Sequence, residues 1–169
     1  MAPARDVTLQ LARSSDTAAV AQVLSAAADR LTIQYGTGHW SRHTTDRGVR
    51  WLMRQGRVYV VKDQRRVIAT LTMTPRKPWA IDTAHFAPVT KSVYVLSMAV
   101  LPDCQGAGIG RACVEQAVVL CRQWPADSLR LDAYDAPAGA GPFYRKCDFR
   151  EIGRVTYRTV PLIYFERLV

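Results

Sequence analysis

The chain has 169 residues, 49% of them hydrophobic and 22% charged, which is typical of one globular domain with its own core. Its 23 basic and 14 acidic residues give a net charge of +9, which indicates an anionic partner such as an acidic substrate, a polyphosphate cofactor or nucleic acid. No apolar run is long enough for a membrane span, and no polybasic block or nucleic-acid signature supports the last of these partners.

The N-terminal segment MAPARDVTLQ lacks the apolar centre of a secretory signal, so we expect a cytoplasmic protein with one domain over residues 1–169. Cys113 and Cys121 are eight residues apart on one predicted helix, roughly 12 Å, which is too far for a disulfide. No cysteine pair has zinc-ligand spacing, so we expect reduced thiols and no metal.

The N-terminal half predicts a strand at 7–12 and an amphipathic helix that is capped by the residues SSD at 14–16 and ends before Gly36. A second helix is predicted within 41–56, with Gly56 as its stop. Two strands, RVYVVK and RVIATLTM, follow as a hairpin joined by DQR. The proline-containing segment 74–91 predicts a long loop, and such loops are often functional.

The C-terminal half begins with an apolar strand at 92–100 and a glycine-rich turn, followed by a helix that Pro125 ends. SLRLDAY at 128–134 predicts another strand, and residues 136–149 contain a short helix. Two strands then end the chain. This order of elements predicts an α/β protein with a mixed sheet.

The turn between the apolar strand and the helix reads QGAGIGR at 105–111. A tight turn there leaves backbone N–H groups unpaired at the helix N-terminus, where they favour a phosphate or pyrophosphate. A P-loop would need Lys and then Ser or Thr after Gly110, but Arg111 and Ala112 follow it. A dinucleotide-binding fingerprint would need glycine at position 111 and a strand early in the chain.

The segment resembles motif A of the GNAT acetyltransferase superfamily, (Arg/Gln)-x-x-Gly-x-(Gly/Ala), through Gln105, Gly108 and Gly110. Upstream, VYVLSMAVLPDCQG is similar to the family's fourth strand. Downstream, LDAYDAPAGAGPFYRKCDF resembles motif B, with Pro137 and Asp148 where the family usually has asparagine and glycine.

The resemblance implies a mostly antiparallel mixed sheet of about seven strands with helices on both faces, in which strands four and five are splayed. It implies acetyl-CoA as co-substrate and direct transfer of acetyl to a primary amine in a ternary complex. The residues it assigns to the cofactor are Met98, Ala99, Val100, Gln105, Gly106, Ala107, Gly108, Ile109, Gly110, Arg111, Ala140 and Phe143. Tyr144 is the expected acid for the leaving thiolate, since a phenol is protonated at neutral pH.

The resemblance places the acceptor between segments 34–41 and 78–86, with Trp40 and Trp79 as walls. No carboxylate lies in strand 92–100, so the general base is not identified. The candidates for it are His39, His85, Asp82, Asp132 and Asp135. We expect a small-molecule amine as the acceptor.

The alternatives that the sequence leaves open are acetylation of a protein N-terminus, a lysine or an aminoacyl-tRNA, and a non-catalytic module that binds nucleic acid or another anion. A homodimer is also compatible with the resemblance.

Overall fold

A computed structural model describes residues 7–169, so most of the N-terminal segment MAPARDVTLQ lies outside the described residues. Seven strands form one sheet in the order β1-β2-β3-β4-β5-β7-β6, and four helices accompany it. The strands are β1 Gln10–Leu11, β2 Arg57–Asp63, β3 Arg66–Thr74, β4 Ser92–Val100, β5 Ser128–Tyr134, β6 Arg150–Tyr157 and β7 Val160–Leu168. The helices are α1 Thr17–Tyr35, α2 Asp46–Gln55, α3 Ile109–Gln123 and α4 Gly141–Lys146.

Every neighbouring pair of strands is antiparallel except β4 and β5, which are parallel. Helices α1 and α2 pack on β2 to β4, and α3 packs on β3 to β5. The apolar stripe predicted for α1 faces the sheet, where Val20 and Val23 are buried. The predicted mixed sheet of seven strands with helices on both faces is therefore confirmed.

The ends of two helices differ from the sequence prediction. Asp16 does not cap α1, because its carboxylate accepts from the Arg13 backbone N–H and from Lys62 Nζ, each at 2.8 Å. Helix α2 begins only at Asp46, where the Thr45 hydroxyl accepts from the Gly48 N–H. Gly56 ends that helix as predicted. Capping bonds such as these select between starts a few residues apart, which apolar periodicity alone leaves open.

The long loop between β3 and β4 is held against the sheet by a small separate core of Ile81, Phe86, Tyr94 and Tyr164. Arg130 of β5 fixes the same loop: it donates to the Ala87 carbonyl at 2.9 Å and lies 4.4 Å from the Phe86 ring centre. Its guanidinium also pairs with Glu166 at 2.6 Å, and both side chains are buried. No helix within residues 7–169 is long and apolar enough to cross a membrane.

Replacing Arg130 with Met should destabilise the protein by about 3–5 kcal/mol, because it leaves the Glu166 carboxylate buried without a partner. Urea unfolding monitored by circular dichroism measures the change. The double variant Arg130→Met/Glu166→Leu is the matched control and should recover most of the loss, since no charge is then stranded. A single variant within 1 kcal/mol of wild type would contradict the argument.

Candidate functional site

The parallel strands β4 and β5 pair over only three residues. Residues 92–94 oppose residues 128–130, and no further pairs follow, although both strands continue. Each strand keeps its other neighbour: β4 pairs with β3 as far as Val100, and β5 pairs with β7 as far as Tyr134. The two strands therefore splay apart, as predicted, and leave facing backbone edges without a strand partner.

An irregularity in β4 accompanies the splay. Thr70 of β3 opposes Ala99 while Thr72 opposes Leu96, so β4 carries one extra residue at Ser97 and Met98. Ser97 has φ of +48°, in the left-handed region, and is exposed although it lies on a central strand. Bulges of this kind re-aim backbone and side chains and are common beside active sites.

The glycine-rich turn follows β4 and begins α3. Gly106 and Gly108 both have φ of +79°, and a Cβ built on either would meet no atom within 4 Å. Gly108 is the N-cap of α3, and no side chain caps that helix, so its first N–H groups are available to a ligand. Gly110 has another role, because a Cβ there would lie 3.2 Å from the Phe143 ring.

A cleft of about 560 Å³ joins the splayed end of β4 to this turn. With the single exception of Ala107, the residues assigned to the cofactor from sequence line it, and so does Tyr144. Trp40 and Trp79 do not line it. The lining comes from β4, the glycine turn, the start of α3 and the segment around α4.

The far wall of the cleft belongs to α1, and of this wall the sequence predicts only Gln34 and Tyr35, which lie in segment 34–41. The lining residues from this helix are Ala27, Arg30, Leu31, Gln34 and Tyr35. Ala27 and Leu31 continue the apolar stripe of Val20 and Val23 at helical spacing, which is typical of core residues, yet both are only half-buried. Arg30 and Arg111 bring positive charge to opposite walls of the cleft.

Tyr144 lies where α4 meets β7. Its ring packs against Phe143, Phe149 and Phe165, with ring centres 5.1–5.9 Å apart. Within residues 7–169 its hydroxyl makes one hydrogen bond, a long one to Met98 Sδ at 3.9 Å across the splay. Burial raises the pKa of this phenol, with a smaller contribution from the charge of Asp132. The hydroxyl therefore stays protonated at neutral pH and is free to donate.

The two departures from motif B have different consequences. Asp148 has φ of +62°, a conformation in which glycine is unstrained and aspartate is tolerated better than most residues. The turn after α4 therefore keeps its shape without the glycine. Pro137 is exposed at the rim of the cleft, where it supplies no N–H donor and no side-chain amide.

The two segments predicted to hold the acceptor are tied to the sheet by tyrosines. Tyr134 of β5 donates to the His39 carbonyl, and its ring meets the Trp40 ring edge-on, with centres 6.2 Å apart. Tyr164 of β7 donates to the Ala80 carbonyl and accepts from the Asp82 N–H. Trp79 is 79% exposed and does not line the cleft.

Four of the five base candidates have other partners or lie apart from the splay. Asp135 pairs with Arg154 at 2.9 Å, Asp82 accepts from the Ala84 N–H, and His85 packs on the Tyr164 ring. The His39 ring stacks on Tyr134. Asp132 is the exception: it lies on β5, two residues beyond the last pair with β4.

The four cysteines are free and buried. Burial raises the pKa of Cys113 to about 12 and that of Cys121 to about 11, so neither forms a thiolate readily. Within residues 7–169, no group of three or more His, Cys, Asp or Glu side chains could hold a metal ion.

Comparison with protein families matches residues 54–151 to the family described as Acetyltransferase (GNAT) domain. Comparison with curated protein sequences gave no match.

Solved structures resemble the whole fold. A ribosomal-protein-alanine N-acetyltransferase from Brucella melitensis has a TM-score of 0.71 at 17% identity, with 96% of this chain and 99% of that chain covered. An N-acetyltransferase from Staphylococcus aureus Mu50 has a TM-score of 0.69 at 15% identity, covering 96% and 98% of the two chains. A putative acetyltransferase from Salmonella typhimurium, solved with its cofactor acetyl-CoA, has a TM-score of 0.67 at 16% identity, covering 96% and 93%.

Iodoacetamide should alkylate Cys113 of the folded protein at pH 8 about three orders of magnitude more slowly than free cysteine, because a thiol with a pKa of about 12 is almost entirely protonated there. Mass spectrometry of timed samples measures the labelling. Protein in guanidinium chloride is the control, in which all four thiols should react. Rapid labelling of Cys113 in the folded protein would show that this thiol is accessible and ionised.

Proposed function

Because the Acetyltransferase (GNAT) domain family matches more than half of this chain, the chain belongs to that family, and we propose that it is an acetyl-CoA-dependent N-acetyltransferase that acts on a primary amine. The observation that carries the proposal is the cleft between the splayed strands, which has the glycine turn at one end and Tyr144 beside it. We extend the domain from the matched residues to the whole chain, since α1 supplies one wall of the cleft and β7 supports Tyr144.

The cleft suits a pantetheine chain that ends in a pyrophosphate. The open space beside Gly106 and Gly108 would be filled by any side chain at those positions, and it adjoins the uncapped N–H groups of α3. Those groups, with Arg111, would hold the pyrophosphate. The edge of β4 at residues 98–100 has no strand partner and would hydrogen-bond the amides of the pantetheine arm, as a neighbouring strand would. The Gln105 side chain donates to the Val100 carbonyl there at 3.0 Å, which leaves the second lone pair of that carbonyl for the ligand.

Acetyl-CoA supplies a thioester whose carbonyl carbon accepts the amine. A backbone N–H of β4 near Ala99 or Val100 would donate to the carbonyl oxygen as negative charge develops on it. The Tyr144 hydroxyl would give its proton to the departing sulfur, which is consistent with its raised pKa and with the absence of any strong hydrogen-bond acceptor among its described contacts. The burial of all four thiols favours direct transfer over an acyl-cysteine intermediate.

Replacing Gly108 with Trp should abolish binding of acetyl-CoA, because the indole would fill the space beside the start of α3. Isothermal titration should give micromolar affinity for the wild type and at least a hundredfold loss for the variant. Gly48→Trp is the control for the added indole, since Gly48 is on α2, does not line the cleft, and a Cβ there meets only Thr44 and Thr45 at ordinary contact distances. Failure of the wild-type protein to bind acetyl-CoA would leave an anion-binding domain in place of an enzyme.

Replacing Tyr144 with Phe should lower kcat by about 10²- to 10⁴-fold while the melting temperature and the affinity for acetyl-CoA stay near wild type. The hydroxyl makes only a long contact to sulfur, so its removal costs little stability. Release of coenzyme A with an amine acceptor measures the rate. Tyr59→Phe, at a buried tyrosine on β2, is the control and should keep full activity. Unchanged kcat in the Tyr144 variant would rule out the phenol as the acid.

A further inference from the structure

The sheet contains a carboxylate that the mechanism above does not use. Asp132 stands on β5 where that strand has left β4, and it opposes Tyr164 of β7 in the ladder. Alternate residues of a strand share a face, so Asp132 lies on the same face as Arg130 and Tyr134. Leu131 is on the other face, opposite Phe165, and Tyr144 packs against that phenylalanine. Asp132 and Tyr144 therefore approach the open end of the splay from opposite faces of the sheet.

Asp132 is half-buried, and three tyrosines surround it closely enough for its charge to act on their pKa values. None of the three tyrosine hydroxyls donates a hydrogen bond to the Asp132 carboxylate. Tyr134 donates to the His39 carbonyl, Tyr164 donates to the Ala80 carbonyl, and the Tyr144 hydroxyl lies against Met98 Sδ. Within residues 7–169, no lysine, arginine or histidine makes a salt bridge with Asp132.

A half-buried carboxylate that receives no hydrogen bond from another residue is destabilising, and a protein retains such a group where a ligand completes it. Burial raises the pKa of Asp132 above its usual range, and among its protein contacts only its own backbone N–H opposes that rise. A ligand with an ammonium group would supply both the hydrogen-bond donors and the positive charge that the Asp132 carboxylate lacks. Tyr134 is the next residue on this face of β5 and Tyr164 opposes Asp132 in the ladder, so the tyrosines that hold the two loop segments are the neighbours of Asp132.

Resting on the proposed function, we propose that Asp132 is the anchor and general base for the acceptor, which is therefore a cationic primary amine. The carboxylate binds the substrate ammonium and removes one proton, giving a neutral amine and a protonated Asp132. The amine nitrogen then forms a bond to the acetyl carbon, and the carbon–sulfur bond breaks. The leaving sulfur takes the Tyr144 proton, the phenolate regains one from the new amide nitrogen, and Asp132 returns its proton to solvent. The products are an N-acetyl amine and the free thiol of coenzyme A.

Amine binding to protein without coenzyme A tests the anchor separately from the transfer reaction. The affinities for 2-phenylethylammonium and its neutral analogue 2-phenylethanol are measured by titration calorimetry at pH 7. Asp132→Asn should weaken binding of the ammonium at least tenfold and leave that of the alcohol unchanged. Asp135→Asn is the matched control and should retain wild-type affinity, since Asp135 lies three residues after Asp132 and is already paired with Arg154. Equal affinities in wild type and Asp132→Asn, or no binding to wild type, would overturn the anchor.

Two further measurements exclude a merely structural role. Asp132→Asn should raise the melting temperature by about 2–4 °C at neutral pH, because it removes an uncompensated charge, whereas loss of a structural contact would lower it. Its amine-dependent rate should keep rising about tenfold per pH unit as solvent deprotonates the amine, while the wild-type rate levels off above the pKa of Asp132. If the Asp132→Asn variant keeps the wild-type pH profile, Asp132 is not the general base. Titration with acetyl-CoA, which this variant should bind normally, tests the proposed function separately.

Discussion

The shortness of the β4–β5 ladder is the constraint on which the rest of the site depends. Both strands have a full antiparallel partner on the other side, β3 and β7 respectively, so each can leave the other after three residues without losing its place in the sheet. The extra residue at Ser97 and Met98 gives β4 a bend within the splay. Without the divergence, β5 would occupy the backbone edge of β4, and Met98 could not meet Tyr144 through the gap.

The two sides of the gap between β4 and β5 carry charges of opposite sign. The end toward α3 combines helix N–H groups with Arg30 and Arg111, which suits an anion. The β5 face near the tied loops offers Asp132, which suits a cation. A polyphosphate carrier and an ammonium acceptor would thus meet at the splay from sides of opposite sign. Part of the net charge of +9 therefore lies beside the cleft, as Arg30 and Arg111, which the net charge alone does not reveal.

Much of this architecture can be predicted from local sequence, and whether a given element can be predicted depends on how local its sequence pattern is. The apolar run at 92–100, the glycines at 105–110 and the aromatic pair Phe143–Tyr144 are contiguous patterns, so the cleft's near wall could be predicted. Most of the wall formed by α1 could not be predicted, because Ala27 and Leu31 belong to an apolar helical stripe of the kind that usually faces a core. Only the fold shows that the cleft opens beside them. The resemblance predicts Trp40 and Trp79 as walls of the acceptor pocket only through the segments that contain them, and neither lines the cleft. Strand pairing and splay are long-range properties, and residue periodicity does not encode them.

Position on β5 also separates groups that look equivalent in the sequence. Arg130, Asp132 and Tyr134 alternate along one face, and two of the three are fully engaged. Arg130 has the Glu166 carboxylate, the Ala87 carbonyl and the Phe86 ring, while Tyr134 has the His39 carbonyl. Within residues 7–169 no other residue donates to Asp132, which stands between them, although the chain has nine more basic than acidic residues. The chain therefore has many cationic side chains, and Arg130, two positions from Asp132, is one of them but is paired with Glu166. The ladder explains the difference: Glu166 faces Arg130 across β5–β7, whereas the residue facing Asp132 is Tyr164, whose hydroxyl is turned to the loop. The same register that satisfies Arg130 leaves the Asp132 carboxylate without a salt bridge among residues 7–169.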